Sequence, residues 1–196
     1  MPMQAFKTTL RILLFRAGPE DFPYSEKPGL TRACIAIAIL ANALLFGLST
    51  PRLLALSAGA VTIGGVALFT RMTLRLRKLD NRYAQTLNAL LACGSVLILL
   101  MRLPAAEMMP QMKAFVLQAQ QNPDLADHPE SWPALPAGAA LLLDVLAIWF
   151  VAVTAHIFRR ATGTGFFAGG LIGLLCIFNV TLFLIFTTPL LALLFG

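Results

Sequence analysis

Arg71-Met-Thr-Leu-Arg75-Leu-Arg77-Lys78-Leu-Asp80-Asn-Arg82 lies between two long apolar segments, and its reading sets how the rest of the chain is threaded. Five of its twelve residues are Arg or Lys, against one Asp. A short basic loop between membrane spans stays on the cytoplasmic side, because cationic side chains resist being carried across. Arg71, Arg75, Arg77, Lys78 and Arg82 therefore mark a cytoplasmic basic loop.

Working outward, the flanking segments are apolar enough to be spans. The chain of 196 residues is 58% hydrophobic and 12% charged, with a mean hydropathy of +0.79. A soluble domain carries about a quarter charged residues. The class is an all-α, polytopic membrane bundle. The net charge of +6 sits in loops beside spans, where topology accounts for it, so it implies no nucleic-acid partner.

Five spans are expected, over about 33–48, 53–70, 84–101 and 137–158, with a fifth from about 165. At 1.5 Å per residue a helix needs roughly 20 residues to cross roughly 30 Å of hydrocarbon. The apolar stretch 165–196 exceeds one crossing, and Pro189 is expected to kink or end that helix. Arg102 and Pro104 close the third span. Beyond them lies the longest loop, 103–136. In it Met108, Met112, Phe115 and Ala119 at helical spacing predict an amphipathic helix over 106–121, and an irregular return containing His128 and Trp132 follows.

Residues 1–32 form a cytoplasmic segment ahead of the membrane domain, 33–196. Residues 1–16 do not read as a secretory signal, since the first long apolar run begins only at Ala33. Met3, Phe6, Leu10, Leu13 and Leu14 share one helical face, and Lys7 and Arg11 another. This is the pattern of an interfacial helix lying on anionic lipid, or of an amphipathic helix packed on the bundle. Ala17–Gly29 holds three prolines, which forbid a regular element. Phe22 and Tyr24 give that stretch apolar anchors, so an ordered loop is expected.

With the basic loop inside, the N-terminus is cytoplasmic and loop 103–136 and the C-terminus are periplasmic. Twelve of the fifteen Lys and Arg then fall inside, and Arg52, Arg102 and Lys113 outside.

Few residues carry candidate chemistry. Asp144 is the one acid inside a span. At mid-helix a carboxylate costs about 2.5–3.5 kcal/mol, so it needs a partner. Asn179 and Ser95 reach a similar depth, which predicts a buried polar cluster of Asp144, Asn179 and Ser95. The cluster is either a set of interhelical hydrogen bonds or a cation or proton site, and Arg52 or Arg102 within snorkelling reach is a variant of the former. Gly165, Gly169 and Gly173, four apart, form a helix-packing groove for a partner subunit or for a neighbouring helix of the same bundle. Cys34, Cys93 and Cys176 are isolated within spans and read as small core residues.

There is no P-loop, HExxH or GxSxG, and two histidines exclude a His-rich metal site. Ser95 and His156 differ in depth by about 15 Å, which argues against a Ser–His pair. His156 is placed instead with Arg159 and Arg160 among lipid headgroups. No catalytic residue, metal or cofactor is expected.

The segment Arg16-Ala-Gly-Pro-Glu-Asp-Phe-Pro-Tyr-Ser25 resembles the opening of a group of uncharacterised proteobacterial inner-membrane proteins. The layout of a cytoplasmic segment, five spans and short loops resembles the Yip family. The similarity is clearest over 71–103, where Tyr83-Ala-Gln-Thr-Leu-Asn-Ala-Leu-Leu-Ala-Cys-Gly94 opens the third span, and over 138–187. Eukaryotic members carry an acidic-Leu-Tyr-Gly-Pro motif before the first span; here Gly18-Pro19 follows Phe15-Arg16-Ala17. The expected function is that of a non-enzymatic protein of a bacterial inner membrane, a scaffold or assembly factor of Yip-like layout that acts by lateral association. Its partners would be the lipid bilayer and other membrane proteins or a second copy. A small transporter or channel component using Asp144 and Asn179 is the competing expectation.

Overall fold

The computed structural model describes residues 2–24, 28–122, 124 and 132–195. Among these residues there are six α-helices and no strand. They are α1 (Pro2–Leu13), α2 (Gly29–Phe46), α3 (Arg52–Leu76), α4 (Tyr83–Gln121), α5 (Ala137–Thr162) and α6 (Phe166–Phe195). The last five are long and apolar enough to cross a membrane. The protein is thus an all-α bundle with the character of a multi-pass membrane protein.

The spans close into a ring. Helix α2 packs between α3 and α4, α4 meets α5, α5 meets α6, and α6 returns to α3. Helix α4 supplies the centre, with Thr86 to Leu91 buried without interruption and Cys93, Ser95 and Leu97 buried beyond them. Phe158 of α5 is fully buried and meets Phe69 of α3 edge-on, with ring centroids 5.9 Å apart.

Three boundaries differ from the sequence expectation. Helix α3 runs through Arg71 and Arg75 to Leu76, because Arg, Met and Leu all favour a helix. The basic run is therefore largely the last turns of α3, closed by Lys78 in the left-handed region (φ 58). Helix α4 does not stop at Arg102 but continues through Pro104 and Pro110. The expected helix over 106–121 exists, yet as an extension of the third span. The Ala-Ala-Glu-Met-Met and Gln-Met-Lys-Ala runs around the prolines are strong helix formers, and the two prolines each forfeit one backbone bond without ending it. Helix α6 likewise passes Pro189 and runs to Phe195. Of the return from 122 to 136, most, including His128, lies outside the described residues; at its end Trp132 stacks obliquely on Phe115 of α4, 6.4 Å between centroids.

Helix α1 is amphipathic, and it packs on the bundle rather than lying flat on a lipid surface. Thr9 O lies 3.9 Å from Cys93 Sγ, and Trp149 Nε1 donates to Leu13 O at 3.1 Å. Ala5 and Phe6 share a cavity wall with Ser95 and Leu99. Falling numbers on α1 thus match rising numbers on α4, so the two run antiparallel. The face turned inward is Ala5, Thr8, Thr9, Ile12 and Leu13, while Met3, Phe6, Leu10 and Leu14 point outward. The outward face mixes these bulky apolar residues with Gln4, Lys7 and Arg11. Where lipid is as apolar as a core, small and β-branched residues such as Ala5, Thr8, Thr9 and Ile12 allow close contact, with Leu13 added, and the other bulky residues face the tails.

The stretch after α1 is ordered, as its anchors suggest. Phe22 is 1% exposed, Gln85 Nε2 donates to Glu20 O and Phe22 O, and His156 Nε2 bonds Ala17 O at 2.9 Å. Tyr24, the other expected anchor, is exposed instead.

Candidate functional site

The three residues expected to form a buried cluster are not brought together. Ser95 is buried, and its hydroxyl donates to Leu91 O at 2.6 Å within its own helix. Asp144 and Asn179 are exposed on the outer surface of the ring, and neither has a hydrogen bond or ion pair among the described residues. The expectation of burial was wrong for a physical reason. Counting along a helix does not give the side a residue faces, and the stretches of α5 and α6 that hold Asp144 and Asn179 are otherwise apolar all round.

Asp144 stands in an apolar stripe. Leu141 is 66% exposed and Ile148 71%, with Val145 between them also exposed. Its height follows from the packing: a Cβ at Gly94 would sit 3.7 Å from the Phe150 ring, so Asp144 lies about six residues, roughly 9 Å, further toward the Arg102 end. Lys7 and Arg11 are also exposed and also lie within the depth of the spans, since Thr9 between them sits against Cys93, roughly 15 Å along α4 from Tyr83. Neither cation has an ion pair among the described residues. Among the described residues the outer surface thus carries one anion and two cations at membrane depth, none of them in an ion pair.

Of the glycine triplet, two members make a contact. A Cβ at Gly169 would come 2.8 Å from Arg159 Cα, and one at Gly173 would come 2.9 Å from Ala155 N. These glycines let α6 lie directly on α5. A Cβ at Gly165 meets nothing within 4 Å, so that glycine stands outside the groove.

At the basic end, Arg71, Arg75, Arg77, Lys78 and Arg82 are all exposed. Arg82 is the one whose side chain bridges elements: its Nη1 donates to Ala161 O at 3.0 Å, joining the start of α4 to the end of α5. Arg160 pairs with Glu20. Arg159 is half-buried, and its guanidinium has no acceptor among the described residues. His156 is not with Arg159 and Arg160 at the surface as expected. It is turned toward α1, bonded to Ala17 O and edge-on to Phe15 at 5.3 Å between centroids. The spacing His156, Arg159, Arg160 was visible in the sequence; that Glu20 and Arg82 fold against it was not.

Among the described residues no group of three or more His, Cys, Asp or Glu is placed to hold a metal ion. Cys34, Cys93 and Cys176 are free and buried in separate spans. Ser95 and His156 bond different backbone carbonyls and do not meet. Comparison with family models, with curated proteins and with solved structures returns no match, so the functional reading rests on this geometry.

Proposed function

We propose that the chain is a non-enzymatic bacterial inner-membrane protein that works by lateral association with other membrane proteins or with its own copies, in the manner of a Yip-like scaffold or assembly factor. The observation that supports it is the placement of Asp144. A carboxylate facing hydrocarbon costs about 2.5–3.5 kcal/mol, a penalty that a donor on a neighbouring helix removes. Asn179 on α6 offers an amide for the same purpose, worth about 1 kcal/mol per interhelical bond. Lys7 carries the complementary charge roughly 8 Å nearer the basic end than Asp144, a gap its long side chain narrows, so a second copy supplies one chemically suitable partner. With Lys7 and Arg11 set aside at span depth, ten of the other thirteen Lys and Arg still fall toward the basic end, against Arg52, Arg102 and Lys113, which supports a cytoplasmic basic end.

The competing transporter reading needs a water path between the helices to Asp144. Exposure on the outside of the ring favours association instead.

A photo-crosslinking residue at Ile148, one turn from Asp144, tests the proposal in native membranes. Wild-type Asp144 should yield discrete protein adducts, and Asp144→Leu should abolish most of them while leaving the monomer abundant. Adducts to lipid alone, or adducts indifferent to Asp144→Leu, would remove the association role.

A further inference from the structure

Two cavities meet at the basic end, where the stretch after α1, the start of α4 and the α5–α6 hairpin come together. One, of about 520 Å³, is polar and is walled by Arg82, Arg159, Arg160, Glu20 and the Gly163–Gly165 turn. The other, of about 370 Å³, is apolar and is walled by Phe15, Ala152, Ala155, His156 and Gly170. Arg159 and Phe166 belong to both. Each volume falls in the range of roughly 300–1,000 Å³ typical of small-molecule sites.

The charge inside the polar cavity is unbalanced. Three guanidiniums face one carboxylate, and Glu20 is taken by Arg160. Arg82 spends one nitrogen on Ala161 O, and Arg159 has no acceptor among the described residues. Guanidinium forks pair with phosphate oxygens in two-point geometry, and Arg is the residue suited to that role. The position of Arg159 is set by Gly169, whose missing Cβ admits the Arg159 backbone. On the other side, Ala152, Ala155 and Gly170 leave a shallow furrow between α5 and α6, and the Phe15 and Phe166 rings flank it. Phe15 holds a left-handed backbone (φ 58), and its ring is fixed between Trp149 and His156.

We infer that this paired cavity binds an anionic phospholipid, with the phosphate between Arg82 and Arg159 and an acyl chain along the furrow beside Phe15 and Phe166. The shared chemistry is a phosphate oxyanion, which a free phosphate also offers. The adjoining apolar arm favours the lipid. This inference stands apart from the association proposed above: it concerns the Arg159 end and not the Asp144 stripe.

The test uses the full-length protein in mild detergent, with bound lipid counted by native mass spectrometry and stability followed by thermal unfolding. The probes are phosphatidylglycerol, phosphatidylcholine and inorganic phosphate. Phosphatidylglycerol should bind and raise the melting temperature, phosphatidylcholine should bind at least several-fold more weakly, and inorganic phosphate should give no shift. Arg159→Gln should weaken phosphatidylglycerol about tenfold. Ala152→Phe, which fills the furrow and leaves every cation in place, should do likewise. Arg75→Gln, a cation outside the cavity, should bind as the wild type does. Melting temperatures without lipid report whether each variant folds. Wild-type affinity in both Arg159→Gln and Ala152→Phe overturns the inference. So does inorganic phosphate stabilising as much as the lipid, which assigns the cavity to a free anion, or phosphatidylcholine matching phosphatidylglycerol.

Discussion

At Lys78 the chain turns out of α3 with φ 58, a conformation in which a side chain costs roughly 1–2 kcal/mol and glycine costs little. The side chain is exposed, so its removal loses no packing. Lys78→Gly should therefore raise stability by about 0.5–1 kcal/mol, less than the full strain because glycine loses more freedom on folding. Thermal unfolding in detergent would show it, and a lowered melting temperature would mean that the turn is not left-handed. Residue-level legibility was uneven across the chain. That Asp144 is an isolated acid within a span could be read directly; that it shares a depth with Ser95 could not, since the packing of Phe150 on Gly94 sets it roughly 8 Å nearer the Arg102 end. That it faces outward could not, because a helix such as α6 is apolar all round and lacks the polar stripe that marks the solvent side of a soluble helix. Only the glycines betray which side is inward.

Among the elements, the α5–α6 hairpin shows that rule at work. Gly163 (φ 64) closes α5, the connection is three residues long, and Gly169 and Gly173 bring the two backbones together. Gly173→Leu has to push Ala155 away, and should destabilise the protein by about 1–3 kcal/mol, visible as a lower melting temperature and yield. Gly165→Ala faces open space and should change the melting temperature little. Equal effects at both positions would contradict the packing described. Element boundaries were the least legible feature. A proline after Arg102 reads as a stop, yet α4 passes two of them. The propensity of the residues around each proline outweighs the loss of one backbone bond, and no local signal announces that balance. Pro110→Ala restores that bond, and should slow amide exchange over 106–114 relative to the wild type; unchanged exchange there would mean the helix is not continuous.

Across the whole molecule, span number and class were legible from hydropathy alone, while ring order was not, since helix-to-helix adjacency in a bundle leaves no periodic trace in the chain. The structure does offer a convenient way to check threading. The three native cysteines are buried, so an impermeant thiol reagent should meet little background. Cysteine at Arg75 should be shielded in intact cells and labelled after permeabilisation, and cysteine at Lys113 should react in intact cells. Labelling of both from the same side would refute a crossing by α4 between them.

The upright stance of α1 bears on how the protein is made. Its contacts join residues 84 and 136 positions apart, Thr9 with Cys93 and Leu13 with Trp149. The groove that receives α1 does not exist until α4 and α5 have both been synthesised and inserted. Until then its Thr8 and Thr9 face has nothing to dock on, which makes this early segment a natural client for whatever guards nascent chains, and makes its seating a late, slow event in biogenesis.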